Sequence, residues 1–358
     1  MFADEEGFLY PEFNLETCDN CGACEKVCPL LDERIPAPCD EQHIFAATNK
    51  DKQLLAFSAS GGAFGALATN VLEKGGIVYG VAYTEDMVAK HISVDNVDDL
   101  KHLHDSKYVQ SELGHVFPKV KEHLQDGREV LFTGTPCQIA GLSKYLKKPY
   151  PNLLTCDILC HGVASPRIFG EYIKYVEKKT RLKITNLSLR DKKNGWGVTT
   201  TRIDYQNHPS EYNSYWASIW VMAYPCHLIT RPSCHKCRFC SYDRCGDISI
   251  GDFWGIEKKA PEYDAHDGVS LLMVNTAKGH RVFTDVRDKF LVLEANREEA
   301  CQPVLIAPIS PSPLRSQFWS DYKLRGVDYV VNKYWGMSFK RRIYYRILSF
   351  FKFIRQKK

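Results

Sequence analysis

No stretch of the 358 residues approaches the eighteen or so consecutive apolar residues that a membrane-spanning helix needs. The opening MFADEEGFLYPEF is acidic and lacks the apolar core of a secretory signal. No G-x-G-x-x-G fingerprint and no P-loop occurs, so a dinucleotide would have to be held by another device. The net charge is only +4, too small an imbalance to argue for a nucleic-acid partner. Neither a long internal repeat nor a low-complexity segment is found. What remains is the composition of a globular protein, 44% hydrophobic and 25% charged, long enough for two or three domains.

Against that background stand fourteen cysteines. Without a secretory signal the chain reads as cytoplasmic, where disulfides are disfavoured and cysteines at C-x₂-C spacing read as metal ligands. Cys18, Cys21, Cys24 and Cys28 form the C-x₂-C-x₂-C-x₃-C-P run of bacterial-type ferredoxins, closed by Pro29. Soft thiolates suit both oxidation states of iron, and these spacings let one short loop wrap a 4Fe-4S cluster. In two-cluster ferredoxins three such cysteines hold one cluster and the fourth reaches another, yet no cysteine precedes Cys18. Cys28 therefore either closes a single local cluster or serves one whose other ligands stand elsewhere.

A second group follows the pattern Cys234-x₂-Cys237-x₂-Cys240-x₄-Cys245. It suits a second iron–sulfur centre, with a zinc ribbon as the competitor. Lys236, Arg238 and Arg244 stand where they would offset the negative charge of such a centre. Cys137, in TGTPCQ, is expected at a helix N-terminus, where the dipole favours a thiolate. Cys160, in LCHG, ends a predicted strand. Cys39, Cys156, Cys226 and Cys301 read as small buried filler.

Hydrophobic periodicity predicts a mixed α/β protein. Residues 1–40 read as a partial ferredoxin-type module. An apolar helix runs from the Ser-Gly-Gly of SASGG to about Leu72, Gly75–Gly76 stops it, and Ile77–Tyr83 reads as a strand. Leu113, Val116, Val120 and Leu124 predict a helix, EVLFTG a buried strand, TPCQIAGLSKYL a helix with Thr135 as N-cap, and NLLTCDILCHG a strand. Alternation of this kind argues for a sheet with functional loops at its strand ends. ITNLSLRDKKNGWGVTTTRIDY reads as paired strands. The last segment, 339–358, is basic, with Ile343, Ile347, Phe350, Phe351 and Ile354 on one helical face. Such a helix suits an anionic membrane surface, which would put the protein at the inner face of the membrane, or it docks on the body or a partner.

With these residues in view, the chain resembles the coenzyme F420 hydrogenase/dehydrogenase beta-subunit family. SASGGAFGALA, SKYVQSELGHVF, VLFTGTPCQIAGL, LCHGVASP and CHKCRFCSYDRCGDISIGDFWGI carry the resemblance, in order, over about residues 15–300. It implies an iron–sulfur flavoprotein oxidoreductase with an α/β flavin-binding core, a ferredoxin-like half-module before it and a cysteine-rich C-terminal part. The corresponding divisions are 1–40, 41–132, 133–330 and a basic tail at 331–358. It also implies FAD, one or two 4Fe-4S clusters, and ferredoxin, another redox protein or a reduced deazaflavin such as coenzyme F420 as redox partner. Bacterial relatives with a ferredoxin module accompany polysaccharide biosynthesis. They usually begin with two complete cysteine motifs, so a truncated start is expected here.

The resemblance gives the second cluster another ligand set, Cys137, Cys160, Cys234 and Cys237, beside the local one of Cys234, Cys237, Cys240 and Cys245. A flavin has a physical rationale, because it can take the two electrons of a hydride and pass them on singly to clusters. Ser58, Ser60, Gly61 and Gly62 at a helix start are the candidates for its pyrophosphate, with an ordinary helix cap as the alternative. Lys107 and Gln110 in SKYVQS are candidates for contacts to its ring or phosphates. His161 and Asp252 are expected to make hydrogen bonds within the fold, since hydride transfer through a flavin needs no obligatory protein acid or base. An electron-relay protein without catalysis of its own, or a zinc-stabilised binding module, remains open on the sequence.

Overall fold

The computed structural model describes residues 1–31, 42–197 and 200–336. The amphipathic pattern at 339–358 and Cys39 lie outside the described residues.

An antiparallel pairing of β1 (Phe2–Ala3) with β2 (Leu9–Tyr10) precedes the helical turn α1 (Ala23–Lys26). Then come β3 (His43–Asn49), α2 (Lys52–Phe57), α3 (Ala63–Glu73), β4 (Ile77–Tyr83) and β5 (Ala89–Val94). The next units are α4 (Val116–Gln125), β6 (Val130–Gly134), α5 (Pro136–Leu146), β7 (Leu153–Ile158) and α6 (Pro166–Thr180). Strands β8 (Ile184–Asp191), β9 (Thr200–Tyr205) and β10 (His208–Tyr212) form a small antiparallel sheet, followed by α7 (Tyr215–Ala223). After the cysteine-rich loop the chain returns with β11 (Ile248–Asp252), α8 (Ile256–Lys259), β12 (Ser270–Val274), α9 (Ala277–Val286), β13 (Phe290–Ala295) and α10 (Arg315–Val330).

The large sheet has eight strands in the order β13-β3-β12-β11-β7-β6-β4-β5. Its centre, β11-β7-β6-β4, is parallel, and the flanking pairs are antiparallel. Segments on both sides of the 132/133 division build this one sheet, and the division itself falls within β6.

Alternation along the strands sends side chains to two different layers. On one face Phe45, Leu131, Leu154 and Leu272 meet Leu67 and Val71 of α3 and Phe283 of α9. On the other, Ile77, Val130 and Phe132 meet Val120 of α4 and Ile139 and Leu142 of α5. Further along that second face, Ile44, Ala46, Leu271 and Met273 form a separate cluster with Leu159 and Phe253. Between the two clusters β7 and β11 present Asp157 and Ser249 instead of apolar residues, and this polar strip is where the cysteine-rich loop sits. A separate core, with Phe169, Tyr172, Trp220 and Phe318, joins α6, α7 and α10 to the small sheet.

Candidate functional site

In a parallel sheet the loops that leave the carboxyl ends of the strands are where ligands gather. Two cysteines leave adjacent ends here. β6 and β7 are paired with Gly134 opposite Asp157. Cys137 follows on the first turn of α5, behind the N-cap Thr135 and Pro136, and Cys160 stands two residues beyond Ile158. The cysteine-rich loop is stitched to this edge by backbone bonds: Ser165 N–H donates to Ile229 O, Arg231 N–H to Val163 O, and Cys234 N–H to Arg231 O, each 2.9 Å. Gly162 makes the approach possible. Its φ is +85°, and a Cβ there would lie 3.3 Å from Cys234 Cβ and 2.9 Å from Thr230 Cγ2 and Ile309 Cδ1.

The thiols of Cys137, Cys160, Cys234, Cys237, Cys240 and Cys245 come within electrostatic reach of one another. Burial pushes the Cys160 and Cys137 thiols up, Cys234 to about 11 and Cys245 to about 12. Cys237 goes the other way, lowered by a hydrogen bond from Cys240, by the Phe239 and Cys240 N–H groups and by Arg244, while that same bond raises Cys240. Backbone N–H groups also face sulfur at Cys160, from Gly162, and at Cys234, from Val163. Cys137 keeps surface open to solvent.

Desolvated thiols of raised pKa are poor free thiolates, so a site that ionises several of them needs a cationic centre as compensation. Soft donors with N–H groups aimed at the sulfurs are the donor chemistry that an iron–sulfur cluster takes. Among the described residues no group of three or more His, Cys, Asp or Glu side chains is so arranged that it could hold a metal ion.

Arg244 lowers Cys237, Cys240 and Cys245 electrostatically, as its place in the run suggested. Its guanidinium is at the same time plugged into the polar strip. It donates to Asp157 Oδ1, Ser249 Oγ (3.2 Å) and the carbonyls of Phe239 (3.3 Å), Ser241 (3.2 Å) and Ile158 (3.2 Å). Asp157 Oδ2 accepts from Gly246 N–H at 2.8 Å. Both side chains are essentially inaccessible, 2% and 0% exposed. The signal was in the sequence: Asp157 is a charge inside the apolar run NLLTCDIL, and a buried carboxylate requires a partner. Arg231 adds to this, lowering both Cys137 and Cys234. It also reaches the N-terminal strand pair, donating to Leu9 O at 3.1 Å and lying 4.3 Å from the Tyr10 ring centroid.

The first cysteine run lies close by. Cys18, Cys21 and Cys24 are exposed and Cys28 is half-buried. Asn20 and Gly22 are both left-handed, with φ of 54° and 67°, which curls the loop between these thiols. Arg238 donates to Leu30 O at 3.1 Å, so the residue beside Cys237 touches the segment just after Cys28.

A polar network gathers at the end of β11. Asp252, at the end of β11, accepts from Arg190 at 2.9 and 3.2 Å and from Trp196 Nε1 at 3.1 Å. Trp254 stacks on Trp196 with centroids 4.6 Å apart, and Arg190 lies 5.4 Å from the Trp254 centroid. His161, next to Cys160, is held below its ordinary pKa by burial, while Asp252 pulls the other way. Arg190 also lines a cleft of about 260 Å³ with Phe57, Tyr83, His104, Lys107 and Arg202. No motif pointed to Arg190, Trp196 or Arg202.

The remaining candidates are placed as follows. Lys107 lines the cleft, but its ammonium donates to the carbonyls of His102, His104 and Asp105, and burial lowers its pKa to about 8. Gln110 Oε1 and the Tyr83 hydroxyl are buried without a protein hydrogen-bond partner. Ser58 donates to Leu54 O at 2.7 Å and Ser60 to Val269 O at 2.9 Å. Gly61 is wedged against the sheet, where a Cβ would lie 2.2 Å from Ala47 O, and Gly62 is the left-handed N-cap of α3.

Residues 127–299 match the family model for the C terminus of the coenzyme F420 hydrogenase/dehydrogenase beta subunit. They include β6, Cys137, Cys160 and all of the second cysteine group. These residues carry the C-terminal domain of the coenzyme F420 hydrogenase/dehydrogenase beta-subunit family. Residues 11–30 match a 4Fe-4S binding domain and so contain Cys18, Cys21, Cys24 and Cys28. The F subunit of the F(420)H(2) dehydrogenase from Methanosarcina mazei is 22% identical over 291 residues, 78% of this chain and 73% of that protein. A chain in a xenon-derivatised structure of the F420-reducing [NiFe] hydrogenase complex from Methanosarcina barkeri aligns at 17% identity with a TM-score of 0.48. That alignment covers 84% of this chain and 93% of the other. For a protein with that domain and a 4Fe-4S motif, electron transfer is the activity class. Among the described residues no helix is long and apolar enough to cross a membrane.

Proposed function

We propose that this protein relays electrons between a two-electron donor at the cleft and a one-electron partner at the Cys18–Cys28 motif, through a centre held by Cys137, Cys160, Cys234 and Cys237. The observation that carries the reading is the meeting of two thiols from the ends of β6 and β7 with two from the cysteine-rich loop. Cys240 and Cys245 then stand beside the ligands, Cys240 as hydrogen-bond partner of Cys237.

FAD is the group we place at the cleft. The residues fit part of it: Tyr83 and Phe57 supply ring faces. The cations of the wall are already engaged, Arg190 with Asp252, Arg202 with Asp191 and Asp204, and Lys107 with three carbonyls. Asp105 and Asp191 stand beside them, so phosphates would have to displace these partners. The orphaned Tyr83 hydroxyl, at the cleft, is a polar atom in want of a partner; Gln110 Oε1 is another, but it does not line the cleft. At about 260 Å³ the cleft is smaller than the roughly 300–1,000 Å³ of a site for a drug-sized molecule, so it takes the ring or the phosphates and not the whole dinucleotide. Bound there, a flavin converts a hydride into two single electrons. Arg190, fixed by Asp252, is part of the cleft wall.

The donor we favour is a reduced deazaflavin, and the partner at the N-terminal motif is ferredoxin or another redox protein. A role in polysaccharide biosynthesis, in the cytoplasm and against the membrane through 339–358, rests on the resemblance and the tail pattern. Iron, acid-labile sulfide, zinc and flavin per chain after anaerobic purification test the core of the proposal. It predicts about eight irons with matching sulfide, one flavin, and loss of about half the iron in Cys137→Ser and Cys160→Ser but not in Cys245→Ser. Zinc without sulfide, or iron loss in Cys245→Ser with none in Cys137→Ser, refutes it. Flavin binding without oxidation of any small donor would leave the relay and remove the catalytic step.

A further inference from the structure

A hydrogen-bonded chain runs from the Cys137 sulfur into the core, and its direction can be deduced atom by atom. It ends on His91, in β5, which is 2% exposed. His91 Nε2 lies 3.2 Å from Thr133 O. A carbonyl oxygen only accepts, so Nε2 carries the proton. Burial holds the ring's pKa down at about 4, so the ring is neutral at ordinary pH and its Nδ1 is an acceptor.

The Ser111 hydroxyl, 3.1 Å from Nδ1, must therefore donate to it. Ser111 Oγ is then an acceptor for Gln138 Nε2, 3.0 Å away. That fixes the Gln138 amide with its oxygen toward Thr135, where Oε1 accepts the Thr135 N–H at 2.9 Å. The Thr135 hydroxyl sits between two acceptors at the same distance: Gln138 Oε1 and Cys137 Sγ are each 3.1 Å away. Gln138 Oε1 is already served by the backbone N–H. A metal-bound sulfur carries no proton and can only accept, so the hydroxyl hydrogen goes to sulfur when Cys137 is a ligand.

Resting on the reading of Cys137 as a cluster ligand, we propose that Thr135 is a positioning residue whose hydroxyl donates to the Cys137 sulfur and raises the potential of the centre bound there. The chain through Gln138 and Ser111 to His91 sets the orientation in which that hydroxyl is free to do so. A donor to a ligand sulfur stabilises the more negative, reduced state of a cluster, so its removal moves the potential downward.

The test uses the full chain, purified and reconstituted anaerobically, with midpoint potentials read by EPR-monitored titration. Thr135→Val removes the hydroxyl and keeps the shape, Thr135→Ser restores it, and the signal of the Cys18–Cys28 motif is the internal standard. The expected result is a more negative potential of the second centre in Thr135→Val, the wild-type value in Thr135→Ser and an unmoved N-terminal signal. Loss of the second centre's iron in Thr135→Val with retention in Thr135→Ser supports the same role. An unchanged potential in Thr135→Val at full iron content overturns it. If Cys137→Ser also leaves iron and potential unchanged, the ligand reading has failed; if Cys137→Ser alters them, only the Thr135 inference has.

Discussion

Arg244 fastens the cysteine-rich loop to the sheet beside the backbone bonds at 163–165 and 229–231, so breaking that one residue should loosen it. In Arg244→Leu the Asp157 carboxylate stays buried with one remaining donor, Gly246 N–H, and the carbonyls of Phe239, Ser241 and Ile158 lose theirs. Removing one partner of a buried ion pair costs about 3–5 kcal/mol, because the other charge is left uncompensated. At roughly 2 °C per kcal/mol for a domain of this size, the expected fall in melting temperature is about 6–10 °C. Circular dichroism melts of wild type and variant, with iron and sulfide assayed on the same samples, read both consequences. The iron of the second cysteine group should fall with stability, since the loop that Arg244 anchors also carries Cys234 and Cys237. Asp157→Leu combined with Arg244→Leu removes both charges and should recover part of the melting temperature without the iron. A single variant that melts within about 2 °C of wild type with full iron would show that the loop is held by something else.

Three further outcomes are expected. Burial lowers His91 and His104 to about 4, so the unfolded chain binds more protons than the folded one between that value and the ordinary 6.5, and stability falls as pH drops through this window. Between pH 7 and 5 the loss is roughly 2 kcal/mol per histidine, and His91→Gln should flatten the pH dependence of urea unfolding by one such share. Gly162→Ala forces a left-handed alanine against Cys234, Thr230 and Ile309, which should cost about 1–3 kcal/mol and lower the iron content at the second group. Arg315 forks onto Glu6 and also donates to Thr230 O, so Arg315→Ala should raise hydrogen exchange over residues 1–10 while leaving the central strands protected.

The sequence made legible what is local. The helix ending near Leu72, the strand Ile77–Tyr83 and the Thr135 cap all carry their reasons within a few residues, and the structure has α3 ending at Glu73, β4 over Ile77–Tyr83 and Thr135 as N-cap of α5. Long-range pairings were not legible. Nothing near Cys160 in the chain says that Cys234 will lie against Gly162, because that contact follows from the order of the strands and from the 163–165 pairing with 229–231. Arg190 illustrates the same limit: in SLRDKK it is one cation among several, and only the arrival of Asp252, sixty-two residues later, gives it a fixed place. Ser60 and Gly61 show a motif with a second explanation. The glycine is demanded by Ala47 and Ser270 of neighbouring strands, a packing requirement that leaves the same trace in sequence as a phosphate-binding turn.

The order of the sites along the molecule is itself an argument for the relay. Arg190 lines the cleft and pairs with Asp252, and His161, beside Cys160, feels both of them electrostatically. Arg238, beside Cys237, reaches the backbone just beyond Cys28. The second thiol group therefore has one covalent neighbour within electrostatic reach of Arg190 at the cleft and another in contact with the N-terminal segment. A store of electrons isolated at one end would need no such intermediate, whereas a path between a two-electron site and a one-electron partner does. The framework that holds this order is rigid where it has to be: Cys137 and Cys160 are fixed by adjacent central strands, and the loop carrying Cys234 and Cys237 by Gly162 and Arg244. The outermost motif, with Cys18, Cys21 and Cys24 exposed, is left at the surface where a partner can reach it.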